Sequence, residues 1–403
     1  MAETMKNTGI EWIGKIPEEW EIKRFKYCVE ICNGRDYKDI EVDEGGYPVL
    51  GSGGEFARAS KYSYNKPSVL LGRKGTIDRP MYYDKPFWTV DTMFYTKIPE
   101  FMNPRFAYYM ATLIRFDYYS TQTALPSMTQ TDLGSEKLPV PKKDEQKKIA
   151  DFLDKQTSKI DAIIKTNEEQ LEVLKKYKKS LITQTVTKGL LKNKEKKNKG
   201  IEWEISRLKY EVEGIFDIDH YMPDSIDKGI PYVMTGDLRD LFSQIDFSSC
   251  KQISESDYKK LSKKIKTDIG DIIFARYATI GTVCFVDVEI KNLISYSCVT
   301  IKTKKNRLLG KYLYYYLKSS AFIQEIEKYI NSNTQGNVGI ESLGKVYLPI
   351  PPLDIQNSII AFLDEKCTKI DSLITQKQEA IETMQKYKKS LIYEYVTGKK
   401  RIK

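Results

Sequence analysis

Two arginines occupy matching places in strand-like runs that lie far apart in the chain. "VLLGRKGTID" (Val69 to Asp78) sets Arg73 beside Lys74 and Thr76, and "IIFARYATIG" (Ile272 to Gly281) sets Arg276 beside Tyr277 and Thr279. A guanidinium where a strand meets a loop can give two parallel hydrogen bonds to a guanine edge, or hold a phosphate. The same group can instead close an ion pair inside its own domain. A second polar set also occurs twice, each time just before a proline-rich segment. It comprises Ser127, Thr129 and Gln130 in "TALPSMTQTDLGSEKLPVP", and Asn333, Thr334, Gln335 and Asn337 in "NTQGNVGIESLGKVYLPIP". Such amides and hydroxyls read base edges when exposed, and serve as plain loop residues otherwise.

Other residue patterns that could carry chemistry do not assemble. "GSGG" (Gly51 to Gly54) lacks the G-x-G-x-x-G spacing that cradles a dinucleotide, and no G-x-x-x-x-G-K-[ST] is present, so Gly51 to Gly54 read as a loop turn. "MNPRF" (Met102 to Phe106) has one proline of the N-P-P-[FY] signature of amino-methyltransferases and reads better as a helix cap at Asn103 and Pro104. "PDSIDK" (Pro223 to Lys228) compresses the letters of a nuclease site into one segment, whereas those groups normally come from separate strands. His220 is the single histidine, which leaves no nucleophile–histidine arrangement. Cysteines at 28, 32, 250, 284, 298 and 367 include no C-x-x-C pair, so neither a zinc site nor a disulfide framework is expected.

The bulk properties fit a modular protein with a polyanionic partner. A length of 403 residues suits two or three domains, since one domain takes roughly 100–200 residues. The 65 Lys+Arg against 55 Asp+Glu give a net charge of +10, and 28 tyrosines add polar aromatic surface. Charge alone does not identify nucleic acid as the partner. The N-terminal "MAETMKNTGIEWIGKIP" has no apolar run of signal-peptide length, and no segment approaches about 18 consecutive apolar residues, so a reducing cytoplasm is the expected location and no membrane is involved.

The elements that position these residues are themselves repeated. "KYKKSLI" occurs at Lys176 to Ile182 and again at Lys386 to Ile392, inside an ungapped match of Leu138–Thr187 with Leu348–Thr397 at a constant offset of 210. Upstream, "EWEIKRFKYCVE" (from Glu19) matches "EWEISRLKYEVE" (from Glu202) at an offset of 183, so the second middle is longer by 27 residues. Pro139 and Pro141, and Pro349, Pro351 and Pro352, hold each entry extended, and Asp144 and Asp354 stand where a helix cap is expected. Apolar residues then recur at spacings of three, four and seven, beginning at Ile149 and at Ile359. They form the seams Leu153, Ile160, Ile164, Leu171, Leu174 and Leu181, and Leu363, Ile370, Ile374, Ile381, Met384 and Leu391.

A helix over 144–187 would run roughly 65 Å at ~1.5 Å per residue, and a narrow stripe of that length needs a partner stripe. An intramolecular antiparallel coiled coil follows, with the KYKKSLI lysines on its outside. The expected division is a recognition domain at 1–143, a long helix at 144–189, a basic linker at 190–200, a second recognition domain at 201–353 and a second long helix at 354–403. The divergent middles carry strand-like runs ("PSVLLG", "PFWTVDTMFYTKI", "GDIIFARY", "SYSCVTIKT") and helical ones ("PRFAYYMATLIRF", "GKYLYYYLKSSAFIQEIEKYI"). The fold class is thus a mixed α+β or α/β one, with two globular recognition domains, two long helices and an internal repeat.

"GIEWIGKIPEEWEIKRFKY" (Gly9 to Tyr27), the R-x-G-T-I turn at Arg73 to Ile77 and the paired "LP-x-P…Q…I…FLD…KID" helices ending in "YKKSLI" resemble the specificity (S) subunits of type I restriction-modification enzymes, over nearly the whole chain. The resemblance implies two target-recognition domains, each binding one half of a split double-stranded DNA sequence, and a coil that sets their separation at no more than ~19 base pairs. It implies no catalysis and no cofactor in this chain. Two modification subunits would methylate adenine with S-adenosylmethionine, and restriction subunits would translocate and cut with ATP and Mg²⁺. The competing reading is a coiled-coil adaptor with incidental basic charge. Two departures stand out: the second entrance, "GIEWEISRLKY", lacks the "IGKIPEE" insert, and Ala278 replaces the glycine of the turn.

Overall fold

The computed structural model describes residues 4–119, 126–190, 203–277, 279–330 and 337–402. The chain forms two compact units, Met1–Glu168 with Glu379–Lys403, and Glu169–Gln378.

In the first unit the buried run Ser68–Gly72 supplies an inner strand of a four-stranded antiparallel sheet ordered Glu30–Asn33, Met93–Lys97, Ser68–Gly72, Met81–Tyr83. A continuous apolar strand is what a sheet covered on both faces requires. Beside it lies a three-stranded sheet, Gly54–Ala59, Tyr47–Gly51 and Trp88–Thr89, whose last pair is parallel. Lys137–Val140 pairs with Glu21–Arg24.

The second unit repeats these three sheets, without a counterpart of the first unit's additional pair Met5–Asn7 with Lys15–Pro17. Its sheets are Val212–Phe216, Cys298–Thr303, Ile272–Ala275, Val283–Phe285, then Lys251–Ile253, Ile230–Val233, Leu293–Ile294, and the pair Glu204–Arg207 with Tyr347–Ile350. Sequences that have lost visible similarity therefore keep one fold. The extra length of the second middle sits mainly in two connections: residues 234–250 join two strands that Ser52 and Gly53 join in the first unit, and residues 254–271 carry the helix Glu255–Leu261.

The long helices span Lys143–Lys188 and Leu353–Val396, with Asp144 and Asp354 inside the first turn, where carboxylates favour the positive end of the helix dipole. The repeated glutamine of each entry is the true anchor. Gln146, 1 % exposed, donates to the Pro141 carbonyl (2.9 Å) and the Phe101 carbonyl (3.3 Å), and its Oε1 accepts from the Asn103 amide (2.8 Å). Gln356 does the same with the Pro351 and Arg307 carbonyls (2.8 and 2.7 Å) and the Leu309 amide (2.8 Å).

Each glutamine thus ties a long helix to the start of a short one, Pro104–Ala111 or Gly310–Leu317. Asn103 accepts from the Phe106 amide (3.0 Å), as a helix cap should. About two turns further along, the aspartate of each "FLD" accepts from a tyrosine of that short helix: Asp154 from Tyr109 (2.6 Å) and Asp364 from Tyr315 (2.5 Å). A basic residue of the same helix joins each carboxylate, Arg105 at 2.9 Å and Lys311 at 2.7 Å.

Within each unit a stretch of one long helix runs antiparallel to a stretch of the other. Leu153, Ile160, Leu171, Leu363, Ile370 and Leu391 are buried, while Ile164, Leu174, Leu181, Ile374, Ile381 and Met384 are half-buried. Expected outside the coil, the second lysine of KYKKSLI lies instead in its seam. Lys178 bonds Asp371 at 2.6 Å in the second unit, and Lys388 bonds Asp161 at 2.6 Å in the first. Both lysine and aspartate are displaced by the repeat offset, so one pairing is written twice.

Lys178 and Lys388 fall seven residues after Leu171 and Ile381, and a polar group at such a seam position fixes helix register at some cost in stability. Lys178 is 17 % exposed at its side chain and Asp371 49 %, so water screens the pair. A double-mutant cycle on Lys178→Ala and Asp371→Ala is expected to give a coupling of about 0.5–1 kcal/mol by urea unfolding. A coupling indistinguishable from zero would remove the register role.

The chain's last residues leave the helix at Val396 and return to the first unit. Gly398 adopts φ +69°, and a Cβ there would collide with the Pro17 ring. Lys399 donates to the Ile13 and Lys15 carbonyls, Tyr393 donates to the Trp12 carbonyl (2.7 Å), and Arg401 pairs with Glu19 (2.6 Å) and Glu145 (2.7 Å). The "IGKIPEE" insert, absent from the second entrance, is therefore the seat of the C-terminal tail.

Candidate nucleic-acid interface

Both predicted polar regions meet in each unit. In the first, the Arg73 and Lys74 amides donate to the Thr92 carbonyl (2.9 and 3.3 Å), which turns the chain out of the buried strand Ser68–Gly72. Gly75, at φ +82°, donates to the Pro126 carbonyl (3.0 Å), and the Met128 amide donates to the Arg73 carbonyl (2.9 Å). Lys74 and Ser127 pair across this junction, and Met128, 2 % exposed, plugs it from below. In the second unit the Val338 amide donates to the Arg276 carbonyl (3.2 Å), Tyr277 pairs with Asn337, and Val338, 1 % exposed, fills the place of Met128.

The side chains at these matched places differ. Arg73 is half-buried: its guanidinium donates to the Asp91 carbonyl (3.3 Å) and lies 5.9 Å from the centre of the Phe94 ring. Lys74 is exposed and forms no ion pair among the described residues, and Thr76 is half-buried. Arg276, by contrast, is only 8 % exposed, ion-paired with Asp217 at 3.3 Å, with its Nε unpartnered and its guanidinium 5.2 Å from the Tyr277 ring centre. Of the two readings of Arg276, a base contact or an ion pair within its domain, the contact it makes here is the second. Its strand ends inside the core, and the ion pair within the domain is what the structure contains. Tyr277 and Asn337 are half-exposed and Thr279 exposed, leaving these three on the surface.

Thr129 and Gln130 also have work inside the fold. Thr129 caps the short helix Gln130–Ser135: its hydroxyl accepts from the Asp132 amide (3.1 Å) and donates to the Asp132 carboxylate (2.6 Å). Gln130 donates to the Ile31 carbonyl (3.2 Å) and to Asn33 Oδ1 (3.3 Å). Asn333, Thr334, Gln335 and Ala278 lie outside the described residues, as does most of the basic linker.

Asn33 and Arg35 were missed from the sequence. Both are exposed, on a loop held tightly to residues 88–92: the Arg35 amide donates to the Thr89 carbonyl (2.8 Å), and Trp88 Nε1 donates to the Arg35 carbonyl (2.9 Å). A Cβ on Gly34 would collide with the Val90 and Thr89 carbonyl oxygens, so only glycine allows this approach. "Asn-Gly-Arg" was the available signal, legible as a close turn carrying a cation.

Among the described residues no group of His, Cys, Asp and Glu could hold a metal ion. Burial pushes the thiols of Cys28, Cys250 and Cys367 up to about 11 and those of Cys284 and Cys298 up to about 12, so they stay protonated and poor nucleophiles. His220 is exposed, its ring 4.0 Å from that of Tyr296, and Asp224, Asp227 and Lys228 share one exposed loop.

The type I restriction modification DNA specificity domain matches residues 17–173 and again 202–383. The chain belongs to that family. Its two copies of the specificity domain coincide with the two repeats of sheet topology. The MjaVIII type I restriction enzyme specificity subunit of Methanocaldococcus jannaschii is 26 % identical over 96 % of this chain and 95 % of its own length. The MjaX specificity subunit sequence of the same organism is 24 % identical over 97 % and 96 %. A solved chain from work on complex assembly and conformational transition of the type I R-M system superposes with a TM-score of 0.68 at 14 % identity, covering 94 % of this chain and 98 % of that one. That likeness extends the shared fold across both specificity domains.

Proposed function

We propose that this chain is the non-catalytic DNA-reading subunit of a type I restriction-modification complex, and that its two recognition domains bind the unequal halves of a split duplex sequence. One observation carries the reading. The same strand-end turn, locked to the same polar segment, stands at the same topological place in both units with different side chains: Arg73, Lys74 and Thr76 with Ser127, against Tyr277 and Thr279 with Asn337. A scaffold kept constant while its presented residues vary is what reading two different sequences requires.

Modification and restriction subunits are the partners in this reading, with S-adenosylmethionine, ATP and Mg²⁺ bound by them. No described helix is long and apolar enough to cross a membrane, and a cytoplasmic place beside the chromosome belongs to the proposal. The test is selection from a randomised duplex pool by the chain in complex with its modification subunits. A bipartite, asymmetric consensus is expected, bound with an affinity that falls steeply with salt, at a log–log slope of about −0.9 per neutralised phosphate. Recovery of no consensus together with a flat salt dependence would leave only a coiled-coil adaptor.

A further inference from the structure

The hairpin Tyr47–Gly51 with Gly54–Ala59 carries a ring that the first unit does not bury. Phe56 is 56 % exposed. Its ring lies against Gly51, where a Cβ would come within 3.1 Å, and it meets Tyr37 edge-on at 5.5 Å between centroids and 88° between planes. Such contacts fix the orientation of the ring and leave more than half of its surface open.

The surroundings suit an approaching polyanion. Ser52, at the hairpin tip, has its Oγ 3.5 Å from where a Cβ on Gly75 would stand, so the tip lies against the Arg73 turn. Gly53 and Gly54 have open space around them. Arg35 and Lys74 are exposed, form no ion pair among the described residues, and are both anchored to the stretch 88–92 that runs beneath the tip. Two of the nearby acids are already engaged: Glu55 with Arg58 at 2.8 Å, and Asp36 with the Tyr37 and Lys38 amides at 2.6 and 3.1 Å. Asp91, Asp78 and Asp39 are exposed acids of the same region.

The second unit lacks this device. There the corresponding strands are joined by residues 234–250, which bury Leu238, Phe242, Ile245 and Cys250 against sheet residues such as Ile273, Cys284 and Cys298.

We infer that Phe56 reads a thymine. This rests on the DNA-binding reading above and assigns one contact within it. Phe56 lies on the edge strand of the three-stranded sheet, next to the hairpin tip that projects past Trp88–Thr89, and within a stacked duplex the apolar feature the major groove presents to such a tip is the 5-methyl group of thymine. An apolar ring beside a glycine-containing hairpin tip, with the cations Arg35 and Lys74 free to hold phosphates, has that methyl as its matched partner.

The test uses the complex with its modification subunits and the duplex recovered by selection, with each thymine of both half-sites replaced in turn by uracil, which lacks only the methyl. One position is expected to weaken binding about fourfold, the worth of one buried methyl. Phe56→Ala should weaken the unmodified duplex at least as much, abolish the difference between thymine and uracil at that position alone, and leave the thermal midpoint of the chain unchanged. Phe56→Leu should restore part of the difference. A consensus without thymine, no sensitive position, or a uracil effect that persists in Phe56→Ala overturns the assignment while the DNA-reading role stands. Absence of any consensus overturns both.

Discussion

A chain in which Gln356 is replaced by leucine is expected to lose about 3–6 kcal/mol of stability, seen as a lowered midpoint of urea unfolding. Leucine fills nearly the same volume, so packing is not the cause. The loss comes from three backbone groups left without partners: the buried Pro351 carbonyl and the part-buried Arg307 carbonyl and Leu309 amide. Each orphan costs about 1–3 kcal/mol when water cannot replace the lost bond. Gln356 is 0 % exposed, and a leucine in its place would keep water from the Pro351 carbonyl, whose bond is buried. Total stability of a domain is only about 5–15 kcal/mol, and the second unit should be marginal in this variant.

Gln146→Leu should act equally on the first unit, because its three partners are equivalent in kind. Asn357→Leu, one residue along on an exposed face, should change stability by no more than about 0.5 kcal/mol. Equal effects at 356 and 357 would show that the glutamine is not the anchor of the helix entry.

This pair of glutamines illustrates what the sequence could and could not tell. Their recurrence at an offset of 210 was plain, and so was the recurrence of "FLD", "KID" and "KYKKSLI". Repetition marks a residue as part of the scaffold without saying what it touches. The seam was legible because apolar residues three and four apart must share a face. Lys178 and Lys388 were misplaced because a lysine breaks an apolar pattern wherever it stands. Only the seven-residue spacing from Leu171 and Ile381, together with an aspartate on the opposite helix, puts them inside.

The site was harder to read, for a related reason. Matching Arg73 with Arg276 was sound as topology, since both leave equivalent strands, yet the two side chains stand in different surroundings. Burial depends on what packs over a residue, and in the second unit that cover includes Asp217, whose partner cannot be read from a local motif. Phe56 and Arg35 went unread for the opposite reason. Each stands beside a glycine turn, and a turn in sequence carries no record of whether it faces solvent or core.

Alanine at position 73 and at position 276 should therefore fail in different ways. For Arg73→Ala the thermal midpoint should hold, because the lost bond is a single one to the Asp91 carbonyl. Binding to the selected duplex should fall by about 5- to 150-fold, the worth of one two-pronged base contact of about 1–3 kcal/mol. The fall should be confined to one base pair of one half-site. A uniform loss over all duplexes, with a salt slope lower by about one, would assign Arg73 to a phosphate instead. Arg276→Ala should reverse the pattern. Removing a nearly buried guanidinium deprives Asp217 of its partner and leaves a void beside Tyr277, so the second unit should lose about 2–3 kcal/mol. At temperatures where the variant remains folded, its preference among bases of the second half-site should match the parent chain. A changed base preference with an unchanged midpoint would return Arg276 to the interface and put Asp217 in the role of a latch that releases it on DNA.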